Sequence, residues 1–288
     1  MASEASEITV SETNGAGQTT NPATPSGRAV DQKLAGSSLV DPQHRDRLPP
    51  ERLAVDRLIV ALDFASGDEA LALVEQLDGS CRWFKVGLEL YLAAGNSIVV
   101  ELKRRGLSVF LDLKLHDIPN TVAGAVRSVA RLGADLLTVH ALGGPAMLAA
   151  AREAADSVPL SPSLLAVTIL TSMDQAQLAA VGITSSPGSE ALLLAQMAES
   201  AGISGVVCSP EELRMMRDRL QSPTLITPGI RPAGSSMGDQ SRVATPASAI
   251  ANGADYLVVG RPITRAANPA QAADSILQEI EAALQPRQ

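Results

Sequence analysis

Between Ser108 and Thr121 the chain reads SVFLDLKLHDIPNT, placing two acids around a lysine, Asp112, Lys114 and Asp117, where an apolar run ends. Side chains of a strand alternate between faces, so Asp112 and Lys114, two positions apart, should project to the same side. Pro119 disfavours regular structure in the residue before it, which puts Asp117 on the exit loop. An ammonium flanked by carboxylates is stabilised in its charged form, the form a proton donor needs, and a carboxylate in that setting repels an anion laid beside it. The same residues also read as a structural ion pair at a strand end, with Asp117 capping a helix that starts near Asn120.

A second cluster lies in GIRPAGSSMGDQSR, from Gly229 to Arg242, and VVGRP, from Val258 to Pro262. Glycines, serines and an arginine on a long loop suit a flap that folds over a ligand, or an ordinary surface loop. Gly260 leaves the backbone open to close approach, and Arg261 adds a fixed charge with a fork of donors, a pairing that suits phosphate. His140, in VHALGG, has no evident carboxylate partner and reads as structural, and His116 as packing or orienting the loop after Lys114.

These residues need a scaffold that brings distant segments to one place. From Arg57 onward short apolar runs alternate with longer amphipathic ones, the rhythm of parallel strands joined by helices. Strands are expected over 58–63, 83–86, 108–112, 136–140, 164–170, 205–208, 224–227 and 256–259, with helices over 70–76, 90–105, 121–132, 146–154, 190–201, 211–220 and 247–252. Eight such units imply an α/β fold, a TIM (β/α)8 barrel, in which catalytic groups gather at the C-terminal ends of the strands. Polar residues do stand at those ends: Asp63, Lys85, Asp112, Lys114, His140, Thr171 with Ser172, Arg231 and Arg261.

The expected domains are a disordered, low-complexity tail over 1–54 and the barrel over 55–288. The tail is rich in Ser, Thr, Ala, Gly, Gln and Pro, and MASEASEITV lacks the basic and apolar parts of a secretory signal. A net charge of -8 with no Lys/Arg block argues against nucleic acid or an anionic membrane as partner, and no apolar run approaches a membrane span. Cys81 and Cys208 lie in apolar, strand-like runs with no metal-binding spacing, which favours buried thiols in a reducing compartment.

DLKLHDIPNT closely resembles the signature of the orotidine 5'-phosphate decarboxylase family. LDF, KVGLEL, VHALGG, AVTILTSM, GVVCS, TPGIRP with GDQSR, and VVGRPIT resemble further segments of that family in the same order, over roughly residues 57–284. The resemblance implies that orotidine 5'-monophosphate loses its pyrimidine carboxylate as carbon dioxide and gains a proton, giving UMP in the cytoplasm without metal or organic cofactor. It implies Lys114 as proton donor and Asp112 against the substrate carboxylate, with Asp63 and Lys85 on the ribose hydroxyls and Lys85 also completing the charge network. Thr171 would meet the pyrimidine edge; Arg231 and Gln240 would reach the phosphate or the flap over it, and Gly260 and Arg261 the phosphate from the barrel side. The active sites would be shared across a homodimer, Asp117 reaching into the neighbouring site with Ile118 and Thr121. Two alternatives stay open at this point, a Mg²⁺-dependent sugar-phosphate enzyme with the same Asp-x-Lys-x-x-Asp core and a catalytically silent nucleotide-binding barrel.

Overall fold

Eight parallel strands, β1 (Leu58–Leu62), β2 (Trp83–Gly87), β3 (Ser108–Leu115), β4 (Leu136–His140), β5 (Ser163–Val167), β6 (Gly205–Val207), β7 (Thr224–Thr227) and β8 (Tyr256–Val259), pair in sequence order, and β8 closes on β1. The computed structural model describes residues 54–221, 223–232 and 243–285. Of the expected tail only Ala54 falls among these, and Gln240 lies outside them.

Helices fill every return: α1 (Gly67–Gln76), α2 (Leu88–Ala94), α3 (Asn96–Arg104), α4 (Pro119–Ala130), α5 (Gly144–Asp156), α6 (Gln175–Ala180), α7 (Pro187–Ser200), α8 (Leu213–Arg219), α9 (Pro246–Ala251), α10 (Arg261–Thr264) and α11 (Pro269–Leu284). The single helix expected over 90–105 is two, because Gly95 at φ 61 and ψ -151 turns the chain through a conformation that residues with a Cβ rarely adopt. The fifth strand stops at Val167 rather than running to 170.

Period-two alternation sorts each strand into two columns. The outward column, including Leu58, Val60, Leu62, Phe84, Val86, Val109 and Leu111, packs under the helices. An inward column of Ile59, Ala61, Trp83, Phe110, Leu136, Leu165, Ile226, Tyr256 and Val258 fills the barrel. Trp83 meets Tyr256 edge-on at 5.4 Å between ring centroids. Phe110, 1% exposed, contributes about 1.5–3 kcal/mol by leaving water. Two residues further along the same inward columns stand Asp63, Lys85, Asp112, Thr138 and Gly260. The barrel is thus plugged with apolar side chains below and carries its polar groups one layer higher, at the C-terminal mouth.

At the closed, N-terminal end one arrangement occurs twice, four strands apart. Asp135, just before β4, donates its N–H to the carbonyl of Val109 and accepts the Val109 N–H on its carboxylate at 2.7 Å, while Lys103 pairs with the same oxygen at 2.7 Å. Asp255, just before β8, repeats the pattern with Leu225, its carboxylate accepting at 2.9 Å, and with Arg217 as the cation. Both acids follow Gly-Ala, in GADLLTV and GADYLVV. Cys81 and Cys208 are buried free thiols, and burial pushes both up to about 12, far from the reactive thiolate.

Candidate active site

Four charged side chains from three adjacent strands form one chain of contacts across the mouth. Lys85 Nζ lies 2.9 Å from Asp63 Oδ1 and 3.8 Å from Asp112 Oδ2. Lys114 Nζ then lies 2.8 Å and 2.9 Å from the two oxygens of Asp112. The order is acid, base, acid, base, so the four sum to zero charge. The inner pair is sheltered, with side-chain exposures of 11% for Lys85 and 14% for Asp112, whereas Asp63 at the rim is 60% exposed.

Regular alternation would already put Asp112 and Lys114 on one side, but β3 is not regular where they meet. The register of β3 against β4 runs Leu111 to Leu137 and then Leu115 to Val139, so residues 112–114 lie opposite the single residue Thr138. Lys114 sits at φ 49, one of two non-glycine residues with positive φ among those described. Such a backbone costs on the order of 1–2 kcal/mol for an L-residue. The bulge re-aims the side chain of Lys114 onto Asp112. It also extends β3 to Leu115, beyond the end expected at 112.

Space for this arrangement comes from Gly87, which stands level with Asp112. A Cβ there would lie 2.8 Å from Lys85 Nζ and 3.5 Å from Asp63 Oδ1. Any side chain at 87 would therefore push the Lys85 ammonium out of line. Gly87 and Thr138 were not among the expected site residues. Their signal was weak: each lies on an inward column, two positions after Lys85 and two before His140, and neither carries charge.

Asp117 forms no ion pair with a described residue. Its carboxylate accepts the N–H of Ile118 at 2.6 Å, and α4 opens on Pro119 with Ile118 as a cap whose side chain makes no hydrogen bond. Asp117 therefore does not cap the helix in the manner the structural reading expected. Residues 116–121 are all exposed, and Ile118 keeps 67% of its surface in contact with solvent. Thr121 is on the first turn of α4, two residues after Pro119.

His140 and His116 stack with ring centroids 5.2 Å apart and planes 24° apart, tying the end of β4 to the loop after Lys114. His140 Nδ1 also accepts the N–H of Leu142 at 3.4 Å. Burial, then the neighbouring His116 and Lys114, lowers His140 to about 4. The unfolded chain takes up a proton at this residue near pH 6.5, and the folded one refuses it until about 4. Stability from neutral His140 is therefore complete above pH 6.5 and declines as the pH falls toward 4. An NMR titration should place the His140 ring midpoint near 4, and His140→Asn should flatten the fall in urea midpoint across that window. A ring midpoint above 6 would contradict this.

The remaining expected residues come from the other half of the ring. Thr171 lies on the turn between β5 and α6, where the Met173 N–H donates to the Leu170 carbonyl at 2.9 Å. Arg231, 9% exposed, follows β7. Its backbone N–H donates to Ala244 at 2.9 Å, and the Ala244 N–H donates to Gly229 at 3.2 Å, so residues 229–231 and 244 are clasped together. Gly260 ends β8 beside Asp63: a Cβ placed on it would lie 3.6 Å from Asp63 Oδ2. Arg261 follows as the first residue of α10. The mouth thus offers an ammonium against a carboxylate at one point and a glycine followed by an arginine across the β1–β8 seam.

The chain matches the model of the "Orotidine 5'-phosphate decarboxylase / HUMPS family" over residues 56–276. The orotidine 5'-phosphate decarboxylase of Halorhodospira halophila is 52% identical over 228 residues, which are 79% of this chain and 97% of that relative. One from Vibrio cholerae is 49% identical over 230 residues, 79% of this chain and 98% of the relative. Among solved structures, orotidine 5'-phosphate decarboxylase from Lactobacillus acidophilus matches with a TM-score of 0.70 at 38% identity, covering 78% of this chain and 99% of that one. An uncharacterized conserved protein from Geobacillus kaustophilus matches with a TM-score of 0.69 at 40% identity, covering 77% and 99%.

Proposed function

Because this chain belongs to the orotidine 5'-phosphate decarboxylase / HUMPS family and converts orotidine 5'-monophosphate to UMP and carbon dioxide, we propose that Lys114 protonates the carbon that carbon dioxide leaves. The observation that carries this is the Asp112–Lys114 contact at 2.8 Å, at the mouth of the barrel. The ring does not conveniently delocalise the electron pair left when the bond to carbon dioxide breaks. The site must therefore favour charge on the ring carbon over charge on the departing carboxylate. Asp112 faces the substrate carboxylate and repels it; Lys114 faces the carbanion, stabilises it, gives it a proton and is recharged from water.

The rest of the mouth holds the nucleotide. Asp63 and Lys85 take the ribose hydroxyls, Thr171 the pyrimidine edge, and Arg231, Gln240, Gly260 and Arg261 the phosphate or the segment over it. Gly260 beside Asp63 supports this order, since ribose and phosphate are neighbours in the substrate. Asp117, Ile118 and Thr121 complete the site of a second subunit in a homodimer, a reading supported by the exposed run 116–121. The enzyme works in the cytoplasm; no helix among the described residues is long and apolar enough to cross a membrane.

The Mg²⁺-dependent reading drawn from the sequence is tested directly. No metal is needed in the mechanism above, because Asp63 and Asp112 each face an ammonium. Purified protein should consume orotidine 5'-monophosphate, followed by its absorbance, at the same rate with and without EDTA. Loss of the activity on chelation, restored by Mg²⁺, would overturn the metal-free reaction.

A further inference from the structure

We infer that Thr138, which the charged array does not include, is a positioning residue for the decarboxylation, holding Lys114 and Asp112 through one buried hydroxyl. Thr138 lies in the inward column of β4 and is 0% exposed. Its Oγ1 accepts the backbone N–H of Lys114 at 2.8 Å and lies 3.1 Å from Asp112 Oδ1. A hydroxyl has one proton and two lone pairs. With Lys114 N–H donating to the oxygen, the proton is committed to Asp112.

The hydroxyl does two things at once. In the bulge, three residues of β3 lie opposite Thr138 alone, so the regular ladder cannot take up the Lys114 N–H. Thr138 Oγ1 replaces the missing acceptor and holds the backbone at φ 49, the conformation that turns Nζ back toward Asp112. It also binds Oδ1 of Asp112, the oxygen that Lys114 Nζ approaches at 2.8 Å, and so fixes the rotation of the carboxylate. Left without that acceptor the N–H would have to find another partner, and the bulge would relax. Thr138 touches neither substrate nor the transferred proton, and its effect runs through the other two.

The inference rests on the reaction proposed above. The test compares wild type, Thr138→Val, Thr138→Ala and Thr138→Ser by kcat for orotidine 5'-monophosphate, by the inhibition constant of UMP, and by thermal melting. Valine keeps the shape and removes the oxygen. Thr138→Val should lower kcat between about 10- and 100-fold, the scale of a reacting group displaced by an ångström, with UMP affinity held within about threefold. Thr138→Ala should fall at least as far, and Thr138→Ser should recover kcat to within about threefold of wild type. A folded Thr138→Val with wild-type kcat, a serine variant as slow as the valine one, or equal losses in kcat and UMP binding would each overturn the inference. So would variants that fail to melt cooperatively, which would assign the hydroxyl to folding. Absence of turnover in the wild type would instead sink the reaction itself.

Discussion

Lys114→Ala is expected to lose at least about 10⁴-fold in kcat, the combined scale of a general acid and a charge placed against the developing anion. The side chain serves both roles, so one substitution removes both. The loss should not be one of folding. Asp112 would keep Lys85 at 3.8 Å and Thr138 at 3.1 Å, and alanine at 114 leaves the backbone N–H to its present acceptor. The variant should still melt cooperatively and bind UMP, which carries no carboxylate on the ring. Its affinity for orotidine 5'-monophosphate should drop further than its affinity for UMP, since Asp112 then meets the substrate carboxylate without the ammonium beside it. A Lys114→Ala enzyme retaining most of its rate would refute the assignment of the proton donor.

Asp117→Ala is expected to cost about 10²–10³-fold in kcat, as for one preorganised electrostatic partner, although Asp117 pairs with no cation among the described residues of its own chain. The informative experiment mixes two inactive proteins. If Asp117 serves the neighbouring site, a Lys114→Ala chain can lend its Asp117 to an Asp117→Ala chain that keeps Lys114. Random pairing makes half the dimers mixed, each with one whole site and one doubly damaged one. Roughly a quarter of wild-type activity should therefore return on mixing, as a two-fold assembly with reciprocal contributions requires. A mixture no more active than its components would show that each chain builds its site alone, and the exposure of Ile118 would then need another cause.

Much of this was readable before any coordinates. Alternation of short apolar runs and amphipathic stretches gave the barrel, and all eight strands lie where hydrophobic patterning put them, six of them ending within one residue of the expected place. The charged residues were legible because charge at the end of an apolar strand is conspicuous. What was not legible depends on register, a relation between strands that no single strand carries. The bulge at 112–114 is invisible in SVFLDLKL, because alternation alone also predicts that Asp112 and Lys114 share a side. Thr138 looks like an ordinary β-branched strand residue, and Gly87 like a strand end. Gly95 was passed over because the apolar pattern continues on both sides of it.

The paired aspartates of the closed end carry a consequence for engineering. They lie a full strand length from the chemistry and reinforce only two of the eight seams in the wall, β3 with β4 and β7 with β8. Heat tolerance and turnover are accordingly entrusted to opposite rims of one cylinder, and a lower-rim seam that no such aspartate crosses, such as β2 with β3, is where thermostability can be added without disturbing the rate.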